Sequence, residues 1–161
     1  LGHRHLAYLG GIAGHLSAES RLDGVRRAMR EVGLPDDALT VERGDFTFRS
    51  GSLIAARMLA RSPRPTALIC ANDDMAAGAL SVAHARGLQV PGDVSISGFD
   101  DTPVSAIVWP PLTTVHQPLK AMGGEAVRLL SERITGGGGD WAFRTLPHSV
   151  VVRESAGAWE A

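Results

Sequence analysis

The segment ALICANDDMAAGALSVAHARG, residues 67–87, runs an apolar stretch straight into three polar side chains, Asn72, Asp73 and Asp74. Ala67 to Ala71 is short and wholly apolar, which suits a strand buried on both faces. Asn72 stands where a helix N-cap belongs, and the two aspartates fall in the positive first turn that follows. The same ending recurs along the chain. His5 to Leu9 leads into Gly10-Gly11 and a loop reaching Ser17 and Arg21; Leu39 to Val41 leads into Asp45-Phe46. Val94 to Phe99 leads into Asp100-Asp101, and Leu112 to His116 into Gln117. In an open parallel sheet the carboxyl ends of the strands share one edge, and ligands bind in the crevice there. Arg21, Asn72, Asp100 and Gln117 offer planar, two-pronged hydrogen bonding to vicinal hydroxyls. Phe46, joined by Trp109, would supply an apolar plate for the C–H face of a sugar ring.

Each residue also has a plainer explanation. Asn72 serves as a cap, Asp73 and Asp74 complement the helix dipole, and Arg21 is solvated like Arg26. Asp100-Asp101 before Thr-Pro makes an Asx-type turn, and Gln117 is extended simply because a proline follows. One polar ending would signify little; five on one predicted edge favour a site.

The elements that must place these residues alternate strand and helix. Ser17 to Val32 reads as a helix, with Ser17 as cap, Leu22, Val25, Met29 and Val32 on one face, and Gly33 as the stop. A second helix runs from about Arg49 to Arg61, ended by Pro63 and Pro65. A third follows Asn72 as far as Gly87. Strands alternating with helices of this length predict an α/β fold with an open, mostly parallel sheet and helices on both faces. After Pro103 come a short helix to Trp109, an extended segment to His116, and a helix from Pro118 to Ile134 with Leu119, Met122, Ala126, Leu129, Leu130 and Ile134 on one face. Gly136 to Gly139 reads as a turn or loop, and Ser149 to Val152 as a last strand.

Composition narrows the function classes. The 161 residues carry a formal net charge of -1, so no broad field draws nucleic acid or an anionic membrane. No stretch approaches the roughly 20 apolar residues that cross a bilayer. The single cysteine, Cys70, lies in an apolar run and reads as a buried thiol. The six histidines show no metal-ligand spacing, and no cofactor motif is present. An enzyme reading is weighed on Asp73, Asp74, Asp100 and Asp101 as Mg²⁺ ligands for phosphoryl transfer, but that chemistry needs positive charge at the transferred group. The one lysine, Lys120, opens a helix after Pro118 instead. Glycoside hydrolysis by Asp45 and Asp100 lacks an evident proton donor. The chain is therefore expected not to be an enzyme, and to hold neither metal nor cofactor.

The segments LGHRHLAYLGG, SAESRLDGVRRAM, ANDDMAAGAL, VPGDVSISGFDDTP, PPLTTVHQPLKAMGGEAVRLL and VVRES together resemble the LacI/GalR bacterial transcriptional regulators. They occur in order over nearly the whole chain. The resemblance implies the fold of type I periplasmic binding proteins and a cytoplasmic sensor for a small metabolite, usually a sugar. It carries effector contacts to Arg21, Asn72, Asp100 and Gln117, with Phe46 as the stacking aromatic, and makes Asp73 and Asp101 structural partners of the loops. It also implies a homodimer meeting through Met75, Ala76, Ala79, Val82, Ala83, Ile107 and Val108. Operator DNA would be bound only by a separate N-terminal helix-turn-helix segment. Residues 1–116 correspond to the C-terminal effector-binding subdomain, and 117–161 to a crossover helix and terminal strand that pack partly on an N-terminal subdomain absent here. The chain thus reads as a fragment whose helix 118–134 lacks its usual cover, leading it to pack on another copy, to swap, or to be poorly ordered. The rival reading is the sugar-binding protein of a transporter, which would use the same cleft outside the cytoplasm.

Overall fold

The computed structural model describes residues 1–136 and 144–159. Its first strand, β1 (Leu6–Gly10), is buried at every position. Helix α1 (Leu16–Glu31) connects it to β2 (Leu39–Arg43), and α2 (Phe48–Met58) leads on to β3 (Ala67–Cys70). Helix α3 (Asp73–Ala85) leads to β4 (Ser95–Ser97), which is shorter than the expected Val94–Phe99 strand. The sheet order is β2-β1-β3-β4, with every pairing parallel.

That order fixes where the chain reverses. The step from β1 to β2 goes one way across the sheet, and the steps to β3 and β4 go the other. Right-handed crossovers then place α1 on one face and α2 and α3 on the opposite face. The switch point lies between β1 and β3, where the loops at their carboxyl ends diverge and leave a crevice. The open parallel sheet expected from the sequence is thus present.

Packing follows the aliphatic composition. Leu9, Leu22, Ile54, Met58, Leu68, Met75, Val94, Ile96 and Leu112 are essentially inaccessible, and Tyr8 lies among them. Helices α2 and α3 meet closely because two glycines allow it. A Cβ on Gly51 would stand 2.3 Å from the carbonyl oxygen of Met75, and one on Gly78 would stand 2.2 Å from that of Phe48.

This contact corrects one expectation. Met75, Ala76, Ala79 and Ala83 are fully buried beneath α2, so they have no surface to offer a second subunit. Small apolar residues on a helix serve close packing within a chain as well as between chains. Of the seven expected interface positions, Val82 and Val108 remain partly exposed and Ile107 is largely exposed.

Beyond β4 come the short helix α4 (Pro103–Ile107) and β5 (Thr114–His116). Although β5 lies outside the four-stranded sheet, it continues alongside the end of β4. The Gly98 amide donates to the Thr113 carbonyl at 2.9 Å, and the Asp100 amide to that of Val115 at 2.9 Å. On its other side β5 pairs antiparallel with β6 (Ser149–Val151). Between them the chain forms α5 (Leu119–Ile134), in which no residue is buried. Leu119, Met122, Leu130 and Ile134 are exposed, so among the described residues nothing covers that side of α5. The glycine run after Gly136 lies outside the described residues.

Candidate functional site

The carboxyl edge gathers side chains from four elements. Arg21, one turn into α1, donates from Nη2 to Oδ1 of Asp100 at 3.0 Å and from Nη1 to the carbonyl of Ala71 at the end of β3. Gln117, immediately after β5, donates from Nε2 to the same Asp100 oxygen. Residues 21, 100 and 117 are thus joined through a single carboxylate. Both members of the ion pair are shielded, with side chains 17% and 21% exposed, so solvent weakens it less than it would a surface pair.

Backbone geometry presents that carboxylate. Asp100 has φ 108° and Asp101 φ 54°, both in the left-handed region that L-residues seldom occupy. Such conformations persist where surrounding contacts over-determine them, and they concentrate at functional sites. Burial pushes the Asp100 carboxyl above its ordinary pKa, opposed chiefly by the positive charge of Arg21 and by the Gln117 hydrogen bond.

Asn72 does two things at once. Its Oδ1 accepts from the Met75 amide at 3.0 Å, capping α3, and its Nδ2 donates to the Phe46 carbonyl at 2.9 Å. One side chain thus both caps α3 and ties it to the loop that carries Phe46. Phe46, itself at φ 66°, is tethered by that bond with its ring over Gly11. A Cβ there would come 2.0 Å from the ring, so a larger residue would push the ring from this place. The ring meets His15 edge-on at 5.9 Å between centroids and lies 5.9 Å from the Arg21 guanidinium carbon.

Phe99 escaped the sequence reading. Its ring centroid is 4.1 Å from the Arg21 guanidinium carbon, close enough for a cation–π contact. The available signal was its position between Gly98 and Asp100, on the edge already singled out. Trp109, named as a companion plate, is instead largely exposed beyond α4. Ser17 does not cap α1. That place belongs to His15, which makes no side-chain cap bond, and Glu19 reaches back to the Gly14 amide at 3.2 Å.

The remaining acids serve the scaffold. Asp73 is fully buried, accepting from the Thr114 hydroxyl at 2.6 Å and from the Thr102 amide at 2.7 Å. Burial raises its pKa, with those hydrogen bonds acting against the rise. Asp101 pairs with Arg153 at 2.6 Å and His116 at 2.9 Å. Among the described residues no three His, Cys, Asp or Glu side chains are gathered to hold a metal.

Of the open hollows that adjoin the cluster, Phe99 lines two. One of about 700 Å³ lies under α5, lined also by Val115, Gln117, Met122 and Leu129. The other, about 620 Å³, lies on the α1 side beside Tyr8, Arg21 and Ala71. Chemically, the edge combines a fixed guanidinium–carboxylate pair, two primary amides and two aromatic faces. That suits recognition of a small polar ring.

Residues 1–156 match the model of the periplasmic binding protein-like domain. Over 154 residues, 96% of this chain and 45% of the relative, the sequence is 39% identical to the HTH-type transcriptional regulator CelR of Thermobifida fusca. It is 36% identical to catabolite control protein A of Priestia megaterium, covering 96% of this chain and 47% of that one. The solved CelR–cellobiose complex superposes with a TM-score of 0.91 at 39% identity, over 96% of this chain and 47% of that one. A lac repressor dimer bound to operator and the anti-inducer ONPF superposes at 0.88 with 34% identity, over 97% and 54%. The chain thus spans about half the length of the curated relatives it matches. On the fold, the family match and these relatives together, the chain belongs to the periplasmic binding protein-like domain family, in the form carried by LacI-family transcriptional regulators.

Proposed function

We propose that this chain is one wall of an effector-binding cleft in a transcriptional regulator, and that its ligand is a small polyhydroxylated metabolite, a sugar in the first instance. The carrying observation is the convergence of Arg21, Asp100 and Gln117 from three elements onto one carboxylate at the switch-point edge. Asn72 and Phe46 complete the set, Asn72 fixing a neighbouring hydroxyl and Phe46 stacking on the C–H face. Gln117, at the crossover, would feel the second wall directly.

The mechanism is binding, not catalysis. A ligand touching both walls favours the closed cleft and so shifts the spacing of DNA-binding segments carried elsewhere in a cytoplasmic dimer. Val82, Ile107 and Val108 are the positions of the expected dimer face that keep exposure for such a contact. A transporter's binding protein would use the same cleft, but the relatives matched here are named as regulators.

A thermal-shift screen of sugars, polyols and purines on the full-length protein tests the reading. A stabilising compound is expected to lose its effect in Asp100→Ala and in Asn72→Ala. A hit whose shift survives both substitutions would place the binding site elsewhere and overturn the assignment.

A further inference from the structure

Asp100 and Asp101 are adjacent, yet their carboxylates do separate jobs. Asp100 meets Arg21 and Gln117 in the crevice. Asp101 takes Arg153 Nη2 at 2.6 Å on one oxygen and His116 Nδ1 at 2.9 Å on the other. His116 closes β5, the strand leaving this subdomain, and Arg153 follows β6, the strand returning to it. Arg153 is further held by the Leu112 carbonyl at 2.9 Å and the Ser105 hydroxyl at 3.0 Å. Its backbone also exchanges hydrogen bonds with the Thr113 hydroxyl, at 2.9 and 3.1 Å. Both crossing strands therefore end on one carboxylate.

From this geometry we infer that Asp101 is a positioning residue for the effector site: it fastens both crossing strands to the turn that presents Asp100. The inference rests on the effector reading above for its functional meaning. Its structural content stands separately. The Asp100 amide donates to the Val115 carbonyl, and Gln117 follows His116 directly. Any slip of β5 therefore carries the Asp100 backbone and the Gln117 amide away from Arg21, which is held on α1, and the three side chains no longer meet at one carboxylate. The Asp101–Arg153 pair is well suited to prevent that slip, since its side chains are only 18% and 22% exposed and the arginine is held on several sides.

The test needs no ligand. In the 161-residue chain, Asp101→Ala is expected to speed amide exchange at Val115, His116 and Val151 by about tenfold or more, while β1 and β3 stay protected. Side-chain N–H resonances of Arg21 and Gln117 should move toward their positions in Asp100→Ala, because the bonds to Asp100 loosen. Arg153→Ala should do the same, and the double variant should add little to either single change. Asp101→Asn, which keeps one acceptor, should lie between wild type and Asp101→Ala. Unchanged Arg21 and Gln117 resonances in Asp101→Ala overturn the inference, as does faster exchange spread evenly over the whole sheet. Cellobiose binding by the full-length protein, read by calorimetry, is a separate arm. Failure of wild type to bind it counts against cellobiose as the effector and leaves the clasp standing.

Discussion

Asp101 shows how one carboxylate sets a pH dependence whose sign follows from its surroundings. Arg153, aided by His116 and Ser105, holds its carboxyl below the usual range. The unfolded chain therefore takes up the proton first as pH falls. The stabilisation is whole above the unfolded value of about 3.9 and is lost as pH drops through the depressed folded one. Asp73 and Asp100, raised by burial, act in the opposite sense, contributing most below the unfolded value and losing it as pH rises through the folded one. The melting-temperature gap between wild type and Asp101→Asn should thus be widest near neutrality and should narrow below about pH 4. A gap that stays constant from pH 3 to 7 would mean the charge on Asp101 is irrelevant. At this scale the sequence pointed to the polar residues more fully than to the apolar ones, of which it offered Phe46 and Trp109. Asn72, Asp100 and Gln117 announced themselves as polar groups ending strand-like runs, and Arg21 as a polar group reached by the loop after β1. Phe99 did not, because an aromatic in an apolar run gives no sign that its face is lent to a guanidinium.

Helices α2 and α3 are held at a separation that only glycine permits. At Gly51 and Gly78 an added methyl would stand 2.3 and 2.2 Å from carbonyl oxygens of the facing helix, which cannot rotate aside. Overpacking of this kind costs about 1–3 kcal/mol, and the backbone contact places these sites at the upper end. Gly51→Ala and Gly78→Ala should each lower stability by that amount in urea titration. Gly24→Ala on α1, whose Cβ would meet nothing within 4 Å, should be neutral or slightly stabilising. A tolerated Gly51→Ala would mean the two helices slide apart readily. Element boundaries and types were largely legible, because caps, glycine stops and proline breaks are local chemistry. What α3 packs against was not. The small residues Ala76, Ala79 and Ala83 suit a neighbouring helix in the same chain as well as one in another, and sequence spacing cannot separate the two.

Over the whole molecule, one surface stands out: α5 turns Leu119, Met122, Leu130 and Ile134 to solvent. Contiguous apolar exposure promotes association. The chain alone should self-associate with rising concentration in sedimentation velocity runs, and Leu130→Glu should shift it toward monomer without lowering its melting temperature. Concentration-independent monomer for both proteins would show the face to be harmless in water. That the apolar face of this helix would want cover was an expectation from its pattern and its resemblance; the four-strand order of the sheet required coordinates. The crevice edge carries its own consequence for affinity. Arg21 and Gln117 already spend donors on Asp100, and Asn72 on the backbone of Phe46 and Met75, so on the proposed reading an incoming hydroxyl must displace an existing bond rather than fill an empty one. Such a swap is close to neutral for each bond, and net attraction then comes mainly from stacking and from the opposing wall. On the proposed effector reading, an edge built this way stays quiet by itself and becomes selective only when a second wall closes on it.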